Sequence, residues 1–337
     1  MRSAAVGAGG PRGGRGQGSD LTQCQRMGTS TGSDGLAVGM QLPIQSKSTN
    51  FVEPWERDAG APELALVAQA ADRAGLAYVA VCDHVAIPSE QAEVMGEEWW
   101  DTVATLGWLA GITERVGLLS HVYVPAYRHP LQVAKAFSTL DAISGGRVIM
   151  GVGVGHVRGE FEALGLPFEE RGALLDESID ALRAAFAEDY PTLPGPRWPA
   201  ADLGQRPRPV QADGPPIWVG GSSPAALRRA AQRGDGWLPQ GPVDPEVIGR
   251  LNDLRAAAGR HEPFTIGALV GPTYVGEPDW DLATPTLAGP PEKLAHVLGK
   301  FQAMGVGQVQ VRLRSRSAAE LVEQIERFGS EVLPLLG

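Results

Sequence analysis

From Leu36 onward the chain alternates short β-rich apolar runs with longer runs whose apolar positions recur at helical spacing. The spacing predicts strands at 36–42, 77–84, 115–124, 147–154, 216–221, 235–240, 264–270 and 308–313. It predicts helices at 62–75, about 101–111, 129–146, 170–188, 223–234, 244–259, 290–305 and 317–336, the first closed by Gly75. The strands are apolar throughout rather than alternating, as strands of a parallel sheet buried on both faces are. Eight β/α units over 35–337 fit one closed (β/α)8 TIM barrel, with insertion loops at the C-terminal strand ends, better than a six-stranded open sheet. The Pro-rich stretch 191–216 reads as such an insertion. Residues 1–34 are rich in Gly and Arg, with almost no large apolar side chains, and are expected to be a disordered extension; Met27 offers an alternative start just before the first strand.

Composition narrows the function. A formal net charge of -10 excludes a general affinity for nucleic acid, which requires a basic footprint. Pro and Gly interrupt each apolar run before it could cross a bilayer. Cys24 and Cys82 make neither a disulfide framework nor a zinc spacing, so a reducing cytoplasm is the expected compartment.

In a barrel of this kind chemistry gathers where strands end. The second strand ends in Cys82-Asp83-His84, whose imidazole could serve as an acid/base, contact an aromatic ligand or simply finish the strand. Asp83 could orient that ring or cap a loop. The third runs through Ser120, His121, Val122 and Val124, then Tyr127-Arg128-His129-Pro130. Two histidines and a tyrosine there lack helical convergence and a carboxylate cluster, so no metal is expected. Arg128 either pairs with an acid or faces the rim, and His129 opens the following helix. The fourth strand carries Gly151, Gly153 and Gly155 on one face, followed by His156. Those glycines mark either close strand packing or a flat floor for a ring system. A dinucleotide fingerprint is excluded, because no helix starts at the last glycine. The fifth strand ends Gly220-Gly221-Ser222-Ser223-Pro224 at a helix N-terminus, an anion site or an ordinary cap. Trp99 and Trp100 sit on an acidic loop that reads as an apolar lid, and Trp55, Phe161 and Trp198 lie on other rim loops that point to a mainly apolar organic ligand.

The run YRHPLQVAKAFSTLDAISGGRVIMGVGVGHVRGEFEALGLPFEERGALLDE (127–177) resembles the luciferase-like monooxygenase superfamily, in particular its branch that uses the deazaflavin coenzyme F420. PPIWVGGSSPAALRRAAQRGDGWLP (215–239) and VCDHV (81–85) are similar to two further signatures, and the likeness spans about 36–315. The resemblance implies a barrel that holds a flavin-type ring beside a non-prolyl cis peptide bond, here His121–Val122. It implies cofactor contacts from Asp83, His84, Ser120, His121, Val122, Val124, Gly153, Gly155, Gly159, Gly220, Gly221, Ser222 and Ser223. His84 and His156 are then the candidate proton donors or acceptors. His156 stands where the sugar-phosphate dehydrogenases of this family carry a glutamate, which sets this chain apart from sugar-phosphate oxidation. The implied activity is F420-dependent hydride transfer to or from a small, mainly apolar organic substrate, by a homodimer. An FMN-dependent monooxygenase that uses oxygen, or a non-catalytic flavin-binding protein, are the alternatives.

Overall fold

The computed structural model describes residues 35–48, 52–282 and 284–337, so the extension at 1–34 lies outside the described residues. The elements run β1 (Ala37–Gln41), α1 (Ala61–Ala74), β2 (Tyr78–Val81), α2 (Ala92–Met95), α3 (Thr102–Ile112), β3 (Gly117–Tyr123), α4 (Pro130–Ser144) and β4 (Val148–Val152). They continue with α5 (Arg158–Ala163), α6 (Arg171–Ala187), β5 (Ile217–Gly220), α7 (Pro224–Arg233), β6 (Gly236–Leu238), α8 (Pro245–Ala257) and β7 (Thr265–Val275). The last are β8 (Leu287–Gly289), α9 (Pro291–Ala303), β9 (Gln308–Leu313) and α10 (Ala318–Arg327). β1 to β7 pair in order, all parallel, and β9 closes the ring between β7 and β1. This is an eight-stranded (β/α)8 barrel, with β8 added only to the outer half of β7.

Local chemistry explains the element ends. Asp101, Ser223, Asp244 and Ser317 each cap a helix by accepting an amide N–H of the first turn. Gly75 and Gly145 end α1 and α4 in the left-handed region, at φ 80° and 70°. Side chains that face the helices form the large outer core, while Tyr78, Ala80, Leu119, Ile149, Trp218 and Leu238 form a separate apolar cluster in the lumen. Small residues make that lumen possible. A Cβ on Gly39 would meet the Tyr78 ring at 2.4 Å, and one on Gly236 would meet Trp218 at 2.5 Å. The lower barrel is therefore a packed plug, with Tyr78 edge-on to Trp218 at 6.0 Å.

Several elements depart from the periodicity, α2 and β8 among them, since the spacing predicts neither. β7 extends past Val270 to Val275, because its register against β9 shifts between Leu269 and Pro272 and then resumes. The short helix α5 occupies part of the stretch that reads as loop after β4. The final helix stops at Arg327 and passes into a π turn at Phe328–Val332.

Candidate active site at the barrel mouth

The mouth is built around a defect in β3. Its pairing with β4 slips between Ser120 and Tyr123, and the His121–Val122 peptide bond is cis. Val122 packs against the lumen cluster. A Cβ on Gly153 would lie 2.5 Å from Val122 Cγ2, and one on Gly220 would lie 2.9 Å from Val122 Cγ1. The floor is thus not bare backbone. It is the Val122 side chain, seated in a cradle that β4 and β5 leave open by having no side chains there.

The other glycines do different work. A Cβ on Gly151 would meet Ser120 O at 2.0 Å, so this position serves close strand approach. Gly155, at φ 75°, turns the chain beneath Phe161 and Tyr127, and Gly159 lies against Pro88. Ser120 is fully buried and its hydroxyl donates to Gly151 O, so it does not reach the mouth. His121 is 8 % exposed, and neither ring nitrogen makes a hydrogen bond of normal geometry. Burial pushes its pKa down to about 4, the Gln310 amide beside it working the other way, so the ring is neutral.

Asp83 is a clamp. Its carboxylate takes Arg128 in a two-pronged ion pair at 2.6 and 2.9 Å and accepts the Val124 amide at 2.9 Å. Arg128 therefore pairs with an acid, and it also lies over the Tyr123 ring at 4.4 Å. His129 opens α4, its Nδ1 accepting the Leu131 amide.

His84 follows, with its side chain 12 % exposed. Its Nδ1 lies 3.0 Å from Oε2 of Glu160 on α5, a carboxylate with 0 % exposure. Oε1 of Glu160 accepts the amides of Val85 at 2.6 Å and Ala86 at 3.3 Å, and Tyr127 donates its hydroxyl to Oε2 at 3.0 Å. Burial alone would raise the Glu160 pKa, but the His84 and amide hydrogen bonds outweigh it and hold the carboxyl below its ordinary range. The His156 ring stands edge-on to His84 at 5.6 Å, and the Trp99 ring lies 4.3 Å from His84. Desolvation in the mouth, then His84, lower the His156 pKa, with Glu160 opposing them. His84 and His156 are thus brought together as sequence reasoning expects. Glu160 was not among the expected residues; only its place shortly after the glycine run could have flagged it.

The rim aromatics divide. Trp99 covers His84, whereas Phe161 is fully buried under α5 with Tyr127 and Phe168, so it lines no pocket. The correction is physical: α5 turns that position inward. Trp55 donates to Ser315 and packs on the outer core. Trp100 joins the same core, and Trp198 packs beside the Phe161 cluster.

On the β5 side, Gly221 turns at φ 110° and Ser223 caps the ten-residue α7 by accepting the Ala226 amide at 3.2 Å. Ser222 Oγ accepts the Gln240 amide at 2.9 Å, and the Trp237 indole N–H holds Gly221 O at 2.7 Å. Ser222 and Ser223 are exposed at this helix terminus, a geometry suited to an anion.

Among the described residues, no three His, Cys, Asp or Glu side chains converge as a metal site, and no helix is long and apolar enough to cross a membrane. Comparison with known proteins gives the same architecture a lineage. A protein of Mycobacterium tuberculosis is 34 % identical over 219 residues, covering 60 % of this chain and 75 % of its own. An F420-dependent glucose-6-phosphate dehydrogenase of Nakamurella multipartita is 34 % identical over 215 residues, 60 % of each chain. The crystal structure of the monooxygenase RslO1 from Streptomyces bottropensis superposes with a TM-score of 0.71 at 23 % identity, covering 89 % of this chain and 99 % of that one, which speaks to the fold. The family model for luciferase-like monooxygenases matches residues 40–303, so the chain belongs to the luciferase-like monooxygenase family of oxidoreductases.

Proposed function

We propose that this protein is an F420-dependent oxidoreductase that moves a hydride between the deazaflavin and a small, mainly apolar organic substrate. The observation that carries the reading is the Val122 seat: a side chain fitted into the Gly153–Gly220 cradle at the mouth, with His84 and His156 beside it. A planar ring fits on such a seat because the cradle keeps Val122 low; a Cβ at either glycine would fill the space and push it upward. Gly220, Gly221, Ser222 and Ser223 at the α7 terminus would hold the cofactor phosphate, with Trp237 fixing the Gly221 peptide. When bound, the cofactor supplies the hydride chemistry, and the protein supplies orientation, exclusion of water and proton handling. Trp99 shields the His84 side of the mouth from solvent, and His84 and His156 donate or accept the substrate proton. The F420-dependent relative supports this cofactor assignment.

The resemblance-based expectation of a homodimer also stands as a proposal. α3 carries no charged residue and exposes Trp108 beside Ala104 and Gly111, a face suited to a second copy of this chain.

The test is anaerobic turnover of reduced and oxidised F420 against apolar alcohols, ketones and enones, with a parallel assay of oxygen uptake driven by reduced FMN. Substrate-dependent redox change of F420 without oxygen is expected. Oxygen uptake that needs reduced FMN and substrate, with F420 inert, overturns the reading in favour of a monooxygenase. Tight cofactor binding without turnover in either assay overturns it in favour of a binding protein.

A further inference from the structure

The two rim histidines are close neighbours with unlike surroundings. Glu160 is wholly buried and accepts from His84, Tyr127 and the amides of Val85 and Ala86. Among the described residues its one ion-pair partner is His84. A buried carboxylate that keeps its charge needs a compensating cation or a full set of donors. Here the set includes one group, His84, that can itself become a cation. His156 meets this cluster only through its ring, edge-on to His84 at 5.6 Å. We propose that Glu160 is a positioning residue for His84: it keeps hydrogen on Nδ1 and so leaves Nε2 for proton exchange with the substrate.

The inference rests on the reading of this mouth as a hydride-transfer site, but its physical content does not need the cofactor. An ionised carboxylate can only accept, so the His84 nitrogen facing it carries hydrogen, and Nε2 is left for exchange. The other ionisable groups around His84 leave that hydrogen bond in place. Tyr127, from the turn after β3, is held neutral far above its ordinary range by burial and by Glu160. Asp83, its chain neighbour, is neutralised by Arg128. Cys82, two residues before it, is a neutral thiol pushed up to about 12 by burial. Desolvation and the proximity of His84 lower the His156 pKa, with Glu160 opposing them.

The experiment is heteronuclear NMR of histidine-labelled, cofactor-free full-length protein, read on the neutral rings, whose six histidines are assigned with His84→Asn and His156→Asn. In the unmodified protein His84 is expected as the Nδ1-H tautomer. Glu160→Gln, whose amide can turn either a donor or an acceptor to the ring, should release that preference and populate the Nε2-H form. Tyr127→Phe, which leaves the Glu160 carboxylate facing the ring, should keep the Nδ1-H form. An Nε2-H tautomer in the unmodified protein, or an unmoved Nδ1-H tautomer in Glu160→Gln, overturns the proposal. Should Glu160→Gln fail to fold, the tautomer in the unmodified protein and in Tyr127→Phe decides it. An Nδ1-H tautomer together with unimpaired turnover in His84→Asn would instead contradict the proposed function and leave the positioning intact.

Discussion

At the base of the barrel, where helices hand over to strands, buried carboxylates gather loop amides. Asp72 accepts the amides of Glu114, Arg115 and Val116 ahead of β3, at 3.0, 2.8 and 2.6 Å. Asp141 takes the amides of Val210 and Gln211 and the Gln211 side chain, and Asp235 takes the Ile217 amide together with Arg183. At the mouth the accounting is different. His121 has no well-formed hydrogen bond, His156 is exposed, and the Val122 seat exists only because two neighbours lack side chains. Carboxylates hold loops at both ends, Asp83 and Glu160 at the mouth as Asp72 at the base, but at the mouth reactive groups stand partly unsatisfied beside them. Stability and chemistry are thereby separated along the barrel axis, as the architecture permits.

Substitutions at the two ends should break along that line. The largest effect is expected at the mouth: His84→Asn should lower turnover by about 10²–10⁴-fold, the range for a proton-transfer group, with the thermal midpoint nearly unchanged. A melt that falls steeply would show that His84 holds the fold instead. At the base, Asp72→Ala strands three amides and should cost about 2–4 kcal/mol in a urea titration, while activity per folded molecule holds. Asp72 also predicts acid sensitivity. Burial would raise its pKa, but the three amides win and lower it. A carboxyl lowered in the folded state contributes stability that is complete above its unfolded pKa and is lost as pH falls through its folded value. Asp72→Asn should therefore flatten the loss of stability on the acid side of the ordinary Asp range.

Smaller effects sharpen the contrast within the mouth. Gly153→Ala should force Val122 upward and weaken F420 binding by about tenfold, with an overpacking cost of about 1–3 kcal/mol in the melt. Equal affinity in the two proteins would mean that Val122 is no seat. Trp237→Phe removes the N–H that holds Gly221 O, a hydrogen bond of about 1 kcal/mol, so cofactor affinity should drop several-fold. An unchanged isotherm would remove the β5–α7 turn from the site.

The barrel was legible because the strand runs are bounded by turn residues and several helices by caps: β9 begins and ends where the predicted strand does, at Gln308 and Leu313. That His84 and His156 both sit at the mouth was legible for the same reason, since both follow a strand that ends there; their ring contact was not. Glu160 was not, because its contact with His84 spans 76 residues and depends on a six-residue helix too short to show a period. Phe161 was misplaced by that same helix. Val122 filling the glycine cradle could not be read from alternation either, because the slipped β3–β4 register brings Val122 to the lumen beside positions that alternation alone would assign to the other face.

Deazaflavin binding by the seat and the α7 turn is the central claim. Equilibrium titration of the protein with F420 and, separately, FMN, followed by cofactor fluorescence and repeated on Gly153→Ala, tests this most directly. Micromolar or tighter binding of F420, weaker binding of FMN and a clear loss in the variant are the predicted result. Binding of FMN alone, of neither cofactor, or of F420 equally to both proteins would contradict it.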